Sequence, residues 1–129
     1  MSVSVHHYDG FLPGCHTIEA YGNGGFRFAG MSHKGSVLAL PSGIYIWNIS
    51  SDHQFDISDF VTVLKEAEDI DFFYIGTGDT IRFLNKDVVQ ILRKEIRVVE
   101  TMTTGMAAQT YNILTAENRR VAAALIAVD

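Results

Sequence analysis

With 129 residues, 47% of them hydrophobic, the chain has the size of one ordinary domain and enough apolar side chains to build a core. Ten basic residues are scattered among fifteen acidic ones for a formal charge of −5, which argues against nucleic-acid binding, because a duplex binder clusters Lys and Arg to replace phosphate counterions. The longest apolar run, Val121 to Val128, falls far short of the ~20 residues a membrane-spanning helix needs, and a single cysteine, Cys15, excludes an intramolecular disulfide and fits a reducing, cytoplasmic setting.

The opening MSVSVHHYDG has neither a basic region nor an apolar one and is not expected to be a signal peptide. Residues 1–15 are expected to be poorly ordered or extended. His16 to Tyr21 alternates modestly, and Gly22-Asn23-Gly24-Gly25 reads as a turn. Phe26-Arg27-Phe28 alternates cleanly, with both rings on one face. Ser36 to Leu40 is an apolar strand stopped by Pro41-Ser42-Gly43, and Ile44 to Trp47 is another β-rich run. Short strands joined by tight turns imply an antiparallel or mixed sheet.

The period then changes. Ser58 is a candidate N-cap, with Asp59 at the positive end of the helix and Phe60, Val61, Leu64 and Ala67 at helical spacing. Asp71 to Ile75 reads as a buried strand ended by Gly76-Thr77-Gly78. A second helix starts at an Asn85 cap with Val88, Ile91 and Leu92 inward, and Ile96 to Val99 is a short strand. Thr103 or Thr104 opens a third helix with Ala107, Ala108, Tyr111 and Leu114 along one side. The last run has two readings. Four alanines allow one helix from Thr104 to Ala127, whereas β-branched residues and the lack of a polar face favour a helix to about Glu117 followed by a buried strand. Asn118 suits the left-handed residue between them. Alternation of strand and helix predicts parallel strands with helical crossovers, an α/β domain with no linker.

The stretches YGNGGFRFAG, GSVLALPSGIYIW, FFYIGTG and VVETMTTGMAAQTYNILTAENRRVAAAL occur in that order. Together they resemble a family of small proteins labelled as of unknown function, found in bacteria and archaea and including a mitochondrial assembly factor for respiratory complex I. The resemblance runs from about Tyr21 to Leu125. It is densest at Met102, Thr104, Ala108, Thr110, Tyr111, Asn112, Leu114, Glu117, Arg119 and Arg120. It implies a three-layer α/β fold with a central mixed sheet and an additional β-layer from the N-terminal third. It supplies no catalytic residue. Glu95 stands where members often carry glycine, and Gln109 where they often carry cysteine, so thiol chemistry is not available there.

Gly76-Thr77-Gly78 could bring backbone N–H groups close to an anion at the end of a strand. The dinucleotide fingerprint needs a third glycine where Ile81 stands, and no Gly-Lys-Ser/Thr follows. The plainer reading is a turn that needs glycine for its backbone shape. His6-His7, His16, His33 and His53 lack paired ligand spacing, so no metal and no cofactor is expected. Cys15 reads as a surface or half-buried thiol in a loop, and no G-x-S-x-G elbow occurs.

The junction TYNILTAENRRVAAAL carries the remaining polar groups. On a helix from Thr104, Ala107, Ala108, Tyr111, Leu114 and Thr115 share the core side, while Asn112 lies about 100° from Tyr111. Arg119 and Arg120 fall at the helix-to-strand turn. One reading makes this a seam, in which Glu117 and one arginine seal the turn while Asn112 or Tyr111 caps nearby backbone. The other makes Thr104, Asn112 and one arginine a polar patch that grips a partner or an anion. At least one arginine should be partly exposed.

The leading expectation is a non-catalytic protein-interaction or assembly-factor-like protein whose partner is another protein or itself. Peripheral membrane association would come only through that partner. The alternative is a small-molecule or anion-binding protein, or an unrecognised enzyme, using the turn at Gly76 to Gly78.

Overall fold

The computed structural model describes residues 10–49 and 52–129. Nine strands and three helices are found among them: β1 (Phe11–Pro13), β2 (Ala20–Gly22), β3 (Gly25–Phe28), β4 (Met31–Lys34), β5 (Ser36–Leu40), β6 (Gly43–Trp47), α1 (Val61–Lys65), β7 (Phe72–Gly76), α2 (Lys86–Glu95), β8 (Val98–Met102), α3 (Thr104–Ala116) and β9 (Val121–Leu125). They form a six-stranded sheet in the order β1-β6-β5-β9-β7-β8 and a three-stranded sheet in the order β2-β3-β4. Phe11–Pro13 is extended and pairs with β6, while residues 1–9, including His6-His7, lie outside the described residues.

The run from Val121 is a strand, and it is the middle of the central sheet. β9 pairs antiparallel with β5 and parallel with β7, and all five of its residues are buried. Its side chains alternate between two cores. Ala122, Ala124 and Ile126 join Phe60, Val63, Phe73, Val88 and Leu92 beneath α1 and α2. Val121, Ala123 and Leu125 join Phe26, Phe28, Ala107, Ala108 and Tyr111 beneath α3 and the small sheet. The alanines are the small residues that let a helix lie close on the sheet. The result is three layers: α1 with α2, the mixed sheet, and α3 with the β2-β3-β4 sheet.

Crossover handedness fixes which helix lies where. The step β7-α2-β8 moves one strand outward, and β8-α3-β9 moves back past β7, so equal handedness puts α2 and α3 on opposite faces. The helix end is also as read: Thr103 caps α3 through Met106 N–H, and Asn118 takes φ 60°. Asn118 N–H donates to Thr115 O and Arg119 N–H to Leu114 O, the paired bonds of a Schellman ending.

The structure departs from the local expectations at Ser58, Val61, Ile91 and Ile96. The cap before α1 is Asp56, not Ser58: Asp56 accepts from Ile57 N–H, and Asp59 reaches back to Asp56 N–H. The chain enters through a 3-10 turn, Ile57–Phe60, whose three-residue repeat brings Val63 under Phe60 and leaves Val61 47% exposed. Ile91 is exposed as well, because α2 buries a narrow seam of Val88 and Leu92 and Ile91 sits about 80° from the middle of it. Finally, Ile96 closes α2 by donating to Leu92 O, so β8 begins two residues later at Val98.

Candidate functional site

The Gly76-Thr77-Gly78 turn joins β7 to the loop before α2, and its groups are turned inward. Gly78 takes φ +110°, with nothing within 4 Å of where a Cβ would stand. Gly76 is constrained by contact instead: a Cβ there would lie 2.7 Å from Thr104 Cα and 3.1 Å from Ala107 Cβ, so only glycine lets α3 approach so closely. Gly78 N–H donates to Thr104 Oγ1 at 2.9 Å and Thr104 N–H donates to Gly78 O at 2.9 Å. Thr104, fully buried, donates its own hydroxyl to Ile126 O at 2.7 Å. Thr77 N–H donates to Met102 O, and Thr77 Oγ1 accepts from Arg82 N–H at 2.9 Å. The two amides that a bound anion would use are thus committed to protein acceptors. The opening beside them, ~110 Å³, is lined by Gly78, Asp79, Ala127, Val128 and Asp129, whose two carboxylates oppose an anion.

At the other end of α3 the arginines separate. Arg120 makes a fork onto Asp71, with Nη2 to Oδ1 at 3.1 Å and Nε to Oδ2 at 3.2 Å. That bond holds the Asp71 carboxyl below its ordinary value and the guanidinium above its own. Arg119 lies over the Phe72 ring, 4.8 Å from its centroid, a cation–π contact. Both arginines and Glu117 are exposed. The carboxylate that pairs with an arginine at this turn is Asp71 rather than Glu117; Glu117 N–H instead closes the helix on Ile113 O and Leu114 O.

Asn112 ties two layers together. Its Oδ1 accepts from Ile18 N–H and its Nδ2 donates to Ile18 O, both at 2.8 Å, so the amide mimics a strand neighbour for the segment entering β2. Tyr111 is buried, and burial pushes its hydroxyl up to about 12, so it stays neutral. The residues expected at a site therefore fall into separate groups. Thr104 joins Gly78 at the start of α3, Asn112 serves Ile18 at its middle, and Arg119 and Arg120 stand beyond its end. The 13 residues of α3 hold the first and last about 20 Å apart.

Elsewhere Cys15 is exposed, its Sγ directed at Pro41 O, while the His16 ring is bonded to Pro13 O, so the two do not face each other. Among the described residues no cluster of three His, Cys, Asp or Glu side chains is placed to hold a metal ion, and no helix is long and apolar enough to cross a membrane. Sequence reasoning missed the apolar groups left outside: Phe83, 86% exposed, and Met106 and Ile113 on α3. The spacing of Met106 and Ile113, seven apart along a helix, was the available signal.

Known proteins share this arrangement. The chain is 30% identical over 109 residues to NADH dehydrogenase (ubiquinone) 1 alpha subcomplex assembly factor 3 of Xenopus tropicalis, a match covering 84% of this chain and 60% of that protein. The chain thus spans only about three fifths of the length of that relative. It is 34% identical over 119 residues to an uncharacterized protein of Rhodobacter capsulatus, covering 92% and 87%. A crystal structure from Bartonella henselae, described as an outer membrane protein, superposes with a TM-score of 0.82 at 44% identity, covering 91% of this chain and 98% of that one. Residues 18–126 match the model of DUF498/DUF598, and the chain belongs to that family of proteins of unknown function.

Proposed function

We propose that this protein works without catalysis, by binding another protein in the manner of an assembly factor, and that it does so in the cytoplasm, reaching a membrane only through its partner. The observation that carries the reading is the likeness, over 84% of the chain, to a protein named as an assembly factor. The inward commitment of Thr77, Gly78 and Thr104 supports it, because the polar groups at the glycine turn are bonded to the protein itself. The surface we favour includes Arg119 and Arg120. Both are exposed, and arginine beside an aromatic ring is a common composition at interface hot spots.

The test is affinity capture from native lysate with the full chain as bait, followed by mass spectrometry and by native mass spectrometry of the bait alone. Stoichiometric recovery of one polypeptide, or of a second copy, is expected. Recovery of a bound small molecule and no polypeptide would replace this reading with the ligand-binding one.

A further inference from the structure

β8 ends the central sheet, and its outer side has no strand partner among the described residues. The bonds it makes to β7 show which of its groups face outward. Val98 N–H donates to Asp71 O, and Met102 O accepts from Thr77 N–H. With the parallel register from Phe72↔Val98 to Gly76↔Met102, Val98, Glu100 and Met102 turn their backbone groups to β7, and Val99 and Thr101 turn theirs away. The outward Val99 carbonyl accepts from Arg93 Nη2 at 3.0 Å.

A helix lies against each face of β8. Thr110 Oγ1 reaches Met102 Sδ at 3.9 Å, which sets one flank of α3 above β8. Met106 and Ile113 share that flank with Thr110 at four- and three-residue spacing, and they are 55% and 59% exposed. On the opposite face, α2 carries half-buried Val89 one turn before Arg93. An open strand edge is chemically specific: its alternating N–H and C=O groups match only another extended chain.

We propose that the outer edge of β8 is a strand-addition site for an extended segment of a protein partner, apolar where it faces Met106 and Ile113 and acidic where it faces Arg93. The proposal rests on the protein-binding reading above and names a surface and a partner chemistry for it. An incoming N–H takes the Val99 carbonyl from Arg93. The released guanidinium then pairs with a carboxylate on the incoming strand, for which its planar fork is suited. In the free protein the same contact blunts the edge. A second copy fits less well. Antiparallel pairing of Val99 with Thr101 of another copy sets Glu100 directly across from its counterpart, a like-charge pair. Pairing Val99 with its counterpart brings both Arg93 guanidiniums to one two-fold point.

The probe is a display library of random linear peptides of about ten residues, the upper length of ordinary strands, selected on the full chain. Enriched peptides should alternate apolar residues and carry Asp or Glu. In amide exchange followed by NMR, Val99 and Thr101 should slow at least tenfold on binding. Thr101→Pro, which removes an outward donor without touching the β7 ladder, should weaken binding at least tenfold. Met106→Asp, on an exposed position, should do the same and decides the matter if the proline variant does not fold. Arg93→Ala should weaken acidic peptides and spare neutral ones.

The proposal is overturned if no peptide enriches, if bound peptides protect other amides, or if both variants bind as well as wild type. It is also overturned if the protein alone sediments as a dimer with Val99 and Thr101 already protected, since a second copy then fills the edge. Capture of a lysate partner that persists in Thr101→Pro and Met106→Asp would sink the edge proposal while leaving the protein-binding reading intact.

Discussion

Arg120 and Asp71 join the entrances of two parallel strands twice over. The side chains meet in a two-bond fork of 3.1 and 3.2 Å, and the Arg120 carbonyl accepts the amides of Asp71 and Phe72 at 2.8 and 3.1 Å. The fork is solvent-exposed, so its contribution is screened and small, whereas the backbone bonds are part of the sheet.

Asp71 gives the first prediction. Its carboxyl is lowered by the Arg120 bond, so the folded state holds the charged form better than the unfolded state does. The contribution is present above the ordinary carboxylate value of about 3.9 and is lost as pH falls through the lowered folded value. Thermal melts of wild type and Asp71→Asn should differ near neutrality and converge in acid. A difference that persists unchanged in strong acid would mean that the ion pair is not its source.

Gly76 and Gly78 resist substitution for different reasons. At Gly76 the obstacle is contact, so Ala should cost roughly 1–3 kcal/mol and Val more, as overpacking does. At Gly78 the obstacle is φ +110° in open space, so Ala already meets the backbone cost, on the order of 1–3 kcal/mol, and Val adds only the further penalty of a β-branched residue at positive φ. Urea melts of the four variants test both sites; a Gly78→Ala variant as stable as wild type would contradict the geometry.

Thr104→Val keeps the shape and removes the hydroxyl that serves Gly78 N–H and Ile126 O. Two buried groups lose a partner, at roughly 1–3 kcal/mol each. Thr104→Ser should recover most of the loss. Equal stability of the valine and serine variants by chemical denaturation would show that the hydroxyl bonds are not stabilising.

Truncation after Arg120 removes the strand that both β5 and β7 pair with. Losing that burial at ~25 cal/mol per Å² exceeds the net stability of a small domain, ~5–15 kcal/mol. The shortened chain should show no cooperative melt, and a cooperative monomeric transition would place the core elsewhere.

Much of this fold is written locally. Of the two readings of the last run, helix then buried strand holds, with the strand ending at Leu125 rather than Val128; Asn118 ends α3 where a left-handed residue fits, and Asn85 caps α2. The third layer was legible only through the family resemblance, since nothing in β2 to β4 says where that hairpin sheet docks. What escaped depends on distant partners. Asp71 and Arg120 are 49 residues apart and Asn112 and Ile18 are 94 apart, so no window of sequence pairs them. The cap at Asp56 was missed for a different reason: the 3-10 turn shifts the period before the helix proper begins. The open edge of β8 belongs to strand order, which periodicity does not encode.

If this protein binds another protein with Arg119 and Arg120 in the surface, melting temperature and partner capture measured together should separate for the double variant Arg119→Ala and Arg120→Ala. Both side chains are exposed, and only surface contacts to Asp71 and Phe72 are lost, so the melting temperature should fall by a few degrees at most. Capture of the partner should drop at least tenfold at a temperature where the variant is fully folded. Capture that falls only in step with unfolding would make the junction a structural seam and contradict the account.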